Sequence, residues 1–188
     1  MNSYYSREEL EQIGFRSLGE DVNISRNVIL YGAEHMSFGN HVRVDDHCIL
    51  SGKIEVGNYV HVAVCCLIFA GKTGVFLEDF SGISARGAVY AESDDYSGAV
   101  LTNPMVPMKY RRVLKGPVRV GKHCVIGTGS TLLPGVVVGE GSSVGAMSLI
   151  SKSLDPWGIY VGIPCRRIGD RKQDLLLLEK QLLEEENG

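Results

Sequence analysis

A six-residue repeat of apolar residues restricts the fold of this chain more than any other feature. Fifteen positions spaced six apart within three blocks are all apolar, although a 44% apolar composition would give about seven by chance. A fixed period of this kind is typical of a solenoid, in which each unit buries its apolar side by stacking on the next. The fifteen positions are Phe38, Val44, Leu50, Val56, Val62, Ile68, Leu77, Ile83, Val89, Val120, Ile126, Leu132, Val138, Val144 and Ile150.

The residues around each apolar position indicate a short strand followed by a tight corner. Glycine often comes next, as at Gly39, Gly57 and Gly127, and a small residue usually fills the fifth place of the hexad. Glycine allows a sharp corner because it has no Cβ. Three hexads would form one triangular coil, and residue i would stack under residue i+18 at the ~4.8 Å spacing of paired strands. The sequence therefore predicts an all-β protein, a parallel β-helix.

Segments that break the repeat predict how the chain is organised. A capping-box sequence at Ser6 makes residues 1–20 an N-terminal helical segment. Residues 21–156 form the β-helix, with a long excursion loop at 95–117, where three prolines remove ladder donors. Residues 157–188 form a tail that ends in a C-terminal α-helix with an apolar stripe of leucines, which would pack on the prism or on a neighbouring subunit. The excursion is either a functional loop or a charged, solvated loop that covers a subunit contact.

Charge and hydropathy argue against two classes of function. Lys and Arg number 19 and Asp and Glu number 22, so the net charge of −3 lacks the basic excess of nucleic-acid-binding proteins. No apolar run approaches the ~18 residues that cross a bilayer, and the first residues lack the pattern of a secretory signal. The five cysteines show no paired spacing, which fits a reducing compartment. We expect a cytoplasmic protein with no nucleic-acid partner and no membrane insertion.

The repeat and the tail resemble those of the hexapeptide-repeat acyltransferases. Residues 144–154, VGAMSLISKSL, and 162–168, GIPCRRI, are similar to the tail of bacterial galactoside and maltose acetyltransferases. The loop DYSGAVLTNPMVPMKY is similar to acetyltransferases of surface-polysaccharide assembly, some of which act on nucleotide-linked amino sugars. The resemblance implies a left-handed β-helix, a homotrimer with active sites between subunits, and acetyl-CoA as donor.

The resemblance also implies which residues bind the donor. Thr128 matches a coenzyme-contacting serine of the family, and Ala146, Ser151 and Lys152 match contacts at coil edges. Arg166 matches an arginine that meets phosphate. CoA is an extended anion, which suits backbone donors along an edge and a cation at one end. The alternatives are a solvent-facing corner for Ser151 and Lys152 and a surface ion pair for Arg166. No metal is expected.

The catalytic base is where the sequence departs from the family. Acyl transfer to a hydroxyl needs a general base, and the galactoside acetyltransferases carry a histidine where this chain has Asp94. His61 is the best histidine candidate because it falls at a predicted prism corner on the side of the excursion; an exposed corner histidine is the alternative. His41, His47 and His123 occupy a hexad position that is normally exposed.

A carboxylate offers a second route, because an amine is a better nucleophile than an alcohol once it is neutral. Asp94 or Asp95 would orient the ammonium group of the acceptor and take its proton. This substitution of acidic residues for the family histidine favours an amino-sugar acceptor. Two turn residues that open the excursion are the alternative.

The sequence therefore predicts an enzyme, an acetyl-CoA-dependent sugar O- or N-acetyltransferase in surface-polysaccharide biosynthesis. Its acceptor would be a sugar or nucleotide sugar. The alternative is an N-acetyltransferase of a nucleotide-linked amino sugar that uses no histidine base. A zinc-dependent, carbonic-anhydrase-like enzyme would need three converging histidines, and no two histidines of the coils are eighteen apart. A non-catalytic scaffold is a further alternative, against which the long loop and the tail argue.

Overall fold

Parallel pairing between short strands of successive coils builds the molecule. A computed structural model describes residues 3–186. Val44 pairs with Ile24 of the coil before it and with Val62 of the coil after it, and Val62 in turn pairs with Ile83. Stacking continues in this way from the first coil to the last.

The described residues form two α-helices, two short 3-10 helices and a series of strands. The helices are α1 (Arg7–Ile13) and α2 (Leu175–Glu186), and the 3-10 helices are Ala33–His35 and Met108–Tyr110. The strands before the excursion are β1 (Ser17–Leu18), β2 (Val22–Ile24), β3 (Ile29–Tyr31), β4 (Met36–Phe38), β5 (Val42–Val44), β6 (Ile49–Val56), β7 (His61–Val62), β8 (Leu67–Leu77), β9 (Gly82–Ile83) and β10 (Ala88–Tyr90). Those that follow are β11 (Glu92–Asp94), β12 (Val113–Lys115), β13 (Val118–Val120), β14 (Val125–Ile126), β15 (Thr131–Leu132), β16 (Val137–Val138), β17 (Ser143–Val144), β18 (Leu149–Ile150), β19 (Gly158–Val161) and β20 (Arg166–Asp170).

The strands lie on three faces of a prism. Face 1 contains β2, β5, β7, β9, β14, β17 and β19. Face 2 contains β3, the first parts of β6 and β8, and then β10, β15 and β18; face 3 contains β1, β4, the last parts of β6 and β8, and then β13 and β16. Because β6 and β8 each continue around a corner, faces 2 and 3 join into one sheet.

The apolar repeat fills the interior of the prism. All fifteen predicted positions are buried, and none is more than 6% exposed. Each such side chain contributes ~1.5–3 kcal/mol through removal from water, and every coil depends on its neighbours for that burial. The prediction of a parallel β-helix is confirmed, as is the capping box, in which Ser6 caps α1 and Glu9 bonds back to the Ser6 amide.

The excursion leaves the prism at the corner between faces 2 and 3 as a hairpin, here called the arm (residues 92–115). Its two strands, β11 and β12, pair antiparallel, with Asp94 opposite Val113. The coils on either side pair with each other directly, since Val118 pairs with Val75 and Ala88 pairs with Thr131. The arm is therefore an addition to a continuous stack.

One corner of the prism, between faces 3 and 1, corrects an expectation about a histidine. His123 was expected to be exposed, but only 6% of it is accessible. Its ring stacks on Phe80 at 5.2 Å, and its Nε2 lies 3.0 Å from a carboxylate oxygen of Glu179 on α2. The helix lies over this corner and buries the imidazole, a packing role that hexad position alone does not predict.

Helix α2 otherwise presents apolar side chains outward. Leu178 and Leu182 of the predicted stripe are 64% and 37% exposed, so the single chain buries only part of it. Burial raises the pKa of Glu179, but the hydrogen bonds from Lys122 and His123 outweigh this effect and leave the pKa below its ordinary value. No helix within residues 3–186 is long and apolar enough to cross a membrane.

Candidate active site

A shallow cavity of about 260 Å³ opens on face 1 where β7 and β9 lie side by side. Most of its lining residues are small or apolar. Ser84 is half-buried here, and its hydroxyl has no hydrogen-bond partner in the described part of the chain. The lining residues are His61, Ala63, Gly82, Ile83, Ser84, Ala85 and Val125.

His61 is held in this cavity by a buried carboxylate. Its Nε2 lies 2.8 Å from Oδ2 of Asp45, whose side chain is only 10% exposed. Asp45 also accepts hydrogen bonds from Nε of Arg43 at 2.6 Å and from the Tyr4 hydroxyl at 3.2 Å. Burial raises the pKa of Asp45, but the hydrogen bonds from His61 and Arg43 outweigh it, so the pKa lies below its ordinary value. Asp45 is thus an anion that orients the imidazole.

The structure separates the two acidic candidates at the base of the arm. Asp95 is buried and paired with Arg112, whose Nε lies 2.7 Å away. The hydrogen bonds from Ser97, and then the Arg112 guanidinium, hold the pKa of Asp95 below its ordinary value. Asp95 is therefore fully engaged in holding the arm together, which matches the turn-residue alternative.

Asp94 is only partly engaged. One carboxylate oxygen accepts from the Asn103 amide at 3.0 Å, and the other lies 3.9 Å from Nη1 of Arg111. The Arg111 side chain is 16% exposed, and its buried Nε has no hydrogen-bond partner among the residues that the structure describes. Asp94 thus combines a fixed position with one oxygen that is free to receive a substrate hydrogen bond.

The residues predicted to bind CoA fall into two places. Thr128 and Ala146 lie on successive coils at the corner between faces 1 and 2, and the Met147 amide donates to the Thr128 carbonyl at 2.8 Å. Arg166 opens β20 near this corner, exposed and paired with Val161. Ser151 and Lys152 follow β18 at the corner between faces 2 and 3.

Ser151 belongs to a separate cavity of about 750 Å³ between the arm and face 2. Tyr90, Leu114, Leu133 and Leu149 are among its other lining residues, so the floor is largely apolar. Lys152 is exposed beside it. The geometry thus places Ser151 and Lys152 on the far side of face 2 from Thr128 and Ala146.

His61 lies on face 1, next to the corner that carries Thr128 and Ala146, whereas Asp94 lies apart from all three. The Gly129 amide donates to the Ala85 carbonyl at 3.0 Å, so Ser84 lies one coil from Thr128, and His61 lies one coil further away. Asp94, in contrast, belongs to the arm at another corner of the prism. Within a single chain the structure therefore does not bring His61 and Asp94 together.

Sequence reasoning missed Ser84, Asp45 and Arg111. The signal for the first two was weak, because glycine follows only six of the fifteen apolar positions, and Ser84 and Asp45 are two of the nine residues that stand there instead. The Ser84 hydroxyl has no hydrogen-bond partner within residues 3–186, whereas Asp45 is buried and bonded to His61 and Arg43. Arg111 had no such signal, since its burial depends on how the arm folds.

Within residues 3–186, no three His, Cys, Asp or Glu side chains lie close enough together to hold a metal ion. The carbonic-anhydrase-like alternative therefore has no candidate ligand set in this part of the chain. The chemistry available at the two sites is that of a hydroxyl, an oriented imidazole and a carboxylate.

Comparison with known proteins decides the family. A family model described as bacterial transferase hexapeptide (six repeats) matches residues 117–152. A dTDP-4-amino-4,6-dideoxy-D-glucose acyltransferase of Escherichia coli is 39% identical over 180 residues, which cover 94% of this chain and 93% of that protein. The chain belongs to the hexapeptide-repeat acyltransferases.

Among solved hexapeptide-repeat acyltransferases, the chain is similar to AntD, an N-acyltransferase from Bacillus cereus, in complex with dTDP and 3-hydroxybutyryl-CoA. The two are 47% identical with a TM-score of 0.98, and each chain is covered completely. Crystal structures also exist of the S84A variant of AntD with dTDP-4-amino-4,6-dideoxyglucose and coenzyme A, and of the D94A variant with dTDP and coenzyme A. The present chain has Ser84 and Asp94 at these numbers.

The maltose-type hexapeptide-repeat acyltransferases are more distant. A maltose O-acetyltransferase from Clostridium difficile is 19% identical, with a TM-score of 0.60 over 89% of this chain and 75% of the other, a likeness of fold alone. Of the two groups that the sequence resembles, the enzymes of nucleotide-linked amino sugars are the nearer. This favours the amino-sugar alternative over transfer to a hydroxyl.

Proposed function

We propose that this protein transfers an acyl group from an acyl-CoA to the amine of a dTDP-linked 4-amino-4,6-dideoxy sugar. The observation that carries the proposal is full-length similarity to AntD. It is supported by the Ser84 hydroxyl and one oxygen of Asp94, neither of which has a hydrogen-bond partner within residues 3–186. A nucleotide-linked sugar is an activated glycosyl donor, so the product would serve a cytoplasmic glycosyltransferase that builds a surface polysaccharide.

Asp94 would bind the ammonium group of the acceptor and take one proton from it. An ammonium is not a nucleophile, so this transfer must precede attack. Arg111, whose Nη1 lies 3.9 Å from one oxygen of this carboxylate, places a positive charge beside it. The neutral amine then attacks the thioester carbonyl, forming the C–N bond.

Ser84 would donate a hydrogen bond to the carbonyl oxygen as negative charge develops on it. The tetrahedral intermediate collapses with cleavage of the C–S bond. The nitrogen gives its second proton to the departing sulfur, so the products are the amide and free CoA thiol. Asp94 returns the first proton to solvent.

The role of His61 depends on whether the acceptor is a hydroxyl or an amine. If the acceptor were a hydroxyl, His61 would be the general base, oriented by Asp45 at 2.8 Å. With an amine acceptor that duty falls to Asp94, and His61 is left to contact substrate. For the donor, Thr128, Ala146, Ser151 and Lys152 remain proposed contacts, and Arg166, exposed on β20, is proposed to pair with a CoA phosphate.

We further propose a homotrimer in which the arm of one copy completes the site of the next. Ser84 lies on face 1, whereas Asp94 lies in the arm at another corner. The arm exposes large apolar side chains, with Tyr96 87% and Met105 90% accessible, and face 2 exposes Ile29 and Tyr31. Such surfaces are buried when a second copy packs on them.

A mixing experiment tests the shared site. Ser84→Ala and Asp94→Asn chains, each nearly inactive alone, should regain activity when co-expressed, because about a quarter of randomly assembled sites would contain both native residues. Activity of the mixed, purified trimers against each pure variant is the measurement. Mixed trimers no more active than the pure variants would place the whole site within one chain.

An acceptor panel tests the function itself. Free thiol released from acyl-CoA should appear with dTDP-4-amino-4,6-dideoxyglucose and be absent with its 4-hydroxyl counterpart, because the proposed role of Asp94 requires an ammonium group. Simple galactosides are the second control. Release with the hydroxyl sugars would instead establish O-transfer and assign the base to His61.

A further inference from the structure

Helix α2 is held against the corner between faces 3 and 1 near both of its ends. Glu179 lies 3.0 Å from Nε2 of His123, and Glu186 accepts a hydrogen bond from the Tyr59 hydroxyl. The two carboxylates are ~10.5 Å apart along the helix, which is about two coil spacings of ~4.8 Å. Phe80 stacks between Tyr59 and His123. The middle of α2 therefore lies beside the coil that begins at Phe80.

One flank of α2 exposes apolar side chains. Leu178 and Leu182 are 64% and 37% accessible, and Glu185 is exposed with no ion-pair partner within residues 3–186. Their spacing of four and then three residues puts them in one stripe, here called the leucine flank (Leu178, Leu182 and Glu185). Because successive residues are ~100° apart, this flank lies beside the helix face that carries Glu179 and is directed along the prism surface.

The arm exposes a surface that matches the leucine flank in character. Met105, Met108 and Tyr110 are 90%, 61% and 52% accessible. Lys109 is exposed between them, with its Nζ 4.7 Å from the centre of the Tyr110 ring and no carboxylate partner in the described part of the chain. Residues 105–110, here called the arm tip, thus combine apolar side chains with an unpaired cation, whereas the leucine flank combines them with an unpaired carboxylate.

The proposed trimer determines which corners lie next to each other. In that trimer Ser84 on face 1 of one copy meets Asp94 of the next, whose arm lies beside face 2. Face 1 of each copy then faces face 2 of the next, and threefold symmetry puts the corner that these two faces share nearest the axis. The opposite edges form the mouth of the cleft. At this mouth the corner that carries α2 is next to the corner of the neighbouring copy from which the arm leaves.

The two surfaces also lie at the same height along the prism. The coil that begins at Phe80 contains Ser84, continues as β10 and ends where the arm begins. The leucine flank is centred on this coil. Since a threefold axis keeps equivalent coils at equal height, the leucine flank of one copy and the arm of the next meet at the mouth of the cleft.

We propose that the leucine flank of one copy binds the arm tip of the next copy. The inference rests on the proposed function, in which the arm of one copy completes the site of its neighbour. Contact would remove both apolar surfaces from water and pair Lys109 with the carboxylate of Glu185. Helix α2 then acts as a positioning element, because it fixes the arm that carries Asp94 without touching the substrate.

Photocrosslinking of the full chain tests the contact directly. The photoreactive amino acid benzoylphenylalanine at position 182 should crosslink to residues 105–110, as identified by mass spectrometry of the crosslinked peptides. Crosslinks between chains are recognised on a denaturing gel at twice the mass of one chain. The same probe at Lys180, which is exposed on the opposite flank of α2, is the matched control and should not react with the arm tip.

Kinetics test the positioning role. Leu182→Glu should lower kcat/KM for dTDP-4-amino-4,6-dideoxyglucose by about tenfold, the effect of losing one well-packed interface side chain. In the Asp94→Asn background the same substitution should cost no more than about twofold, because the carboxylate that the arm positions is already gone. Leu177→Glu is the matched control, since Leu177 is 68% accessible and lies off the leucine flank, and it should keep the native value.

Each part of the inference has a result that would overturn it. Crosslinks from position 182 that reach only its own chain, or another segment of the neighbour, would overturn the contact and leave the proposed function standing. An equal loss in Leu177→Glu, or a full tenfold loss from Leu182→Glu in the Asp94→Asn background, would overturn the positioning role. Crosslinks between chains to the arm tip, in a protein that transfers nothing to the amino sugar, would support the contact and overturn the proposed reaction.

Discussion

Replacing Asp94 with asparagine should lower the rate of transfer to the amino sugar by about 10²- to 10⁴-fold, the usual contribution of a general base. Asparagine keeps the shape of the side chain and can still accept from the Asn103 amide, so the arm should remain folded. Affinity for CoA should change little, because the change affects the acceptor. Steady-state kinetics and a CoA titration on the same preparation measure both quantities.

The pH profile distinguishes a base from a merely structural residue. As pH rises, the amine loses its proton to water without help, so the deficit of Asp94→Asn should shrink. Asp95→Asn is the matched control, because it breaks the buried pair with Arg112 and should lower thermal stability without a deficit that closes at high pH. A deficit in Asp94→Asn that stays constant with pH would contradict the base role.

Replacing Gly127 with valine should lower the free energy of unfolding by about 3 kcal/mol. A Cβ at this corner would lie 2.5 Å from the Ala146 amide nitrogen and 2.6 Å from the Gly145 carbonyl carbon. Both are backbone atoms of the next coil, so neither can rotate away, and the coils must separate. Thermal unfolding should shift down by about 6–12 °C for a chain of this size.

The same substitution at Gly82 is the control for this effect. Its Cβ would meet no atom closer than 3.5 Å, so the stability should change by no more than about 0.5 kcal/mol. Equal destabilisation by the two variants would mean that the close approach of Gly127 to Ala146 is not the cause.

The fold was predictable because its determinant is periodic in the sequence. Each of the fifteen apolar side chains has to be buried, and the β-helix buries all of them. The corner histidine His123 was mispredicted because its burial depends on α2, fifty-six residues later in the chain. The six-residue repeat around His123 contains no information about a contact with a residue this far along the chain.

The candidate site was predictable only where the sequence broke a pattern. Asp94 was identified because an acidic residue stands where relatives carry a histidine, and the structure then set it apart from Asp95. The Asp45–His61 pair joins residues 16 apart that sit on adjacent coils, so it follows from coil length and side-chain direction together. Ser84 broke a weaker pattern, the preference for glycine at a corner, and its significance needed the cavity around it.

The arm joins the prism at one corner, and the coils before and after it pair as neighbours. Insertions, deletions or exchange of residues 92–115 between relatives would therefore leave the strand register of the body unchanged. If the arm supplies the acceptor carboxylate while face 1 contacts the donor, mutation can explore new acceptors and new donors independently. A lineage of such proteins can diversify its sugars by recombining two parts of the gene, without first having to evolve a new scaffold.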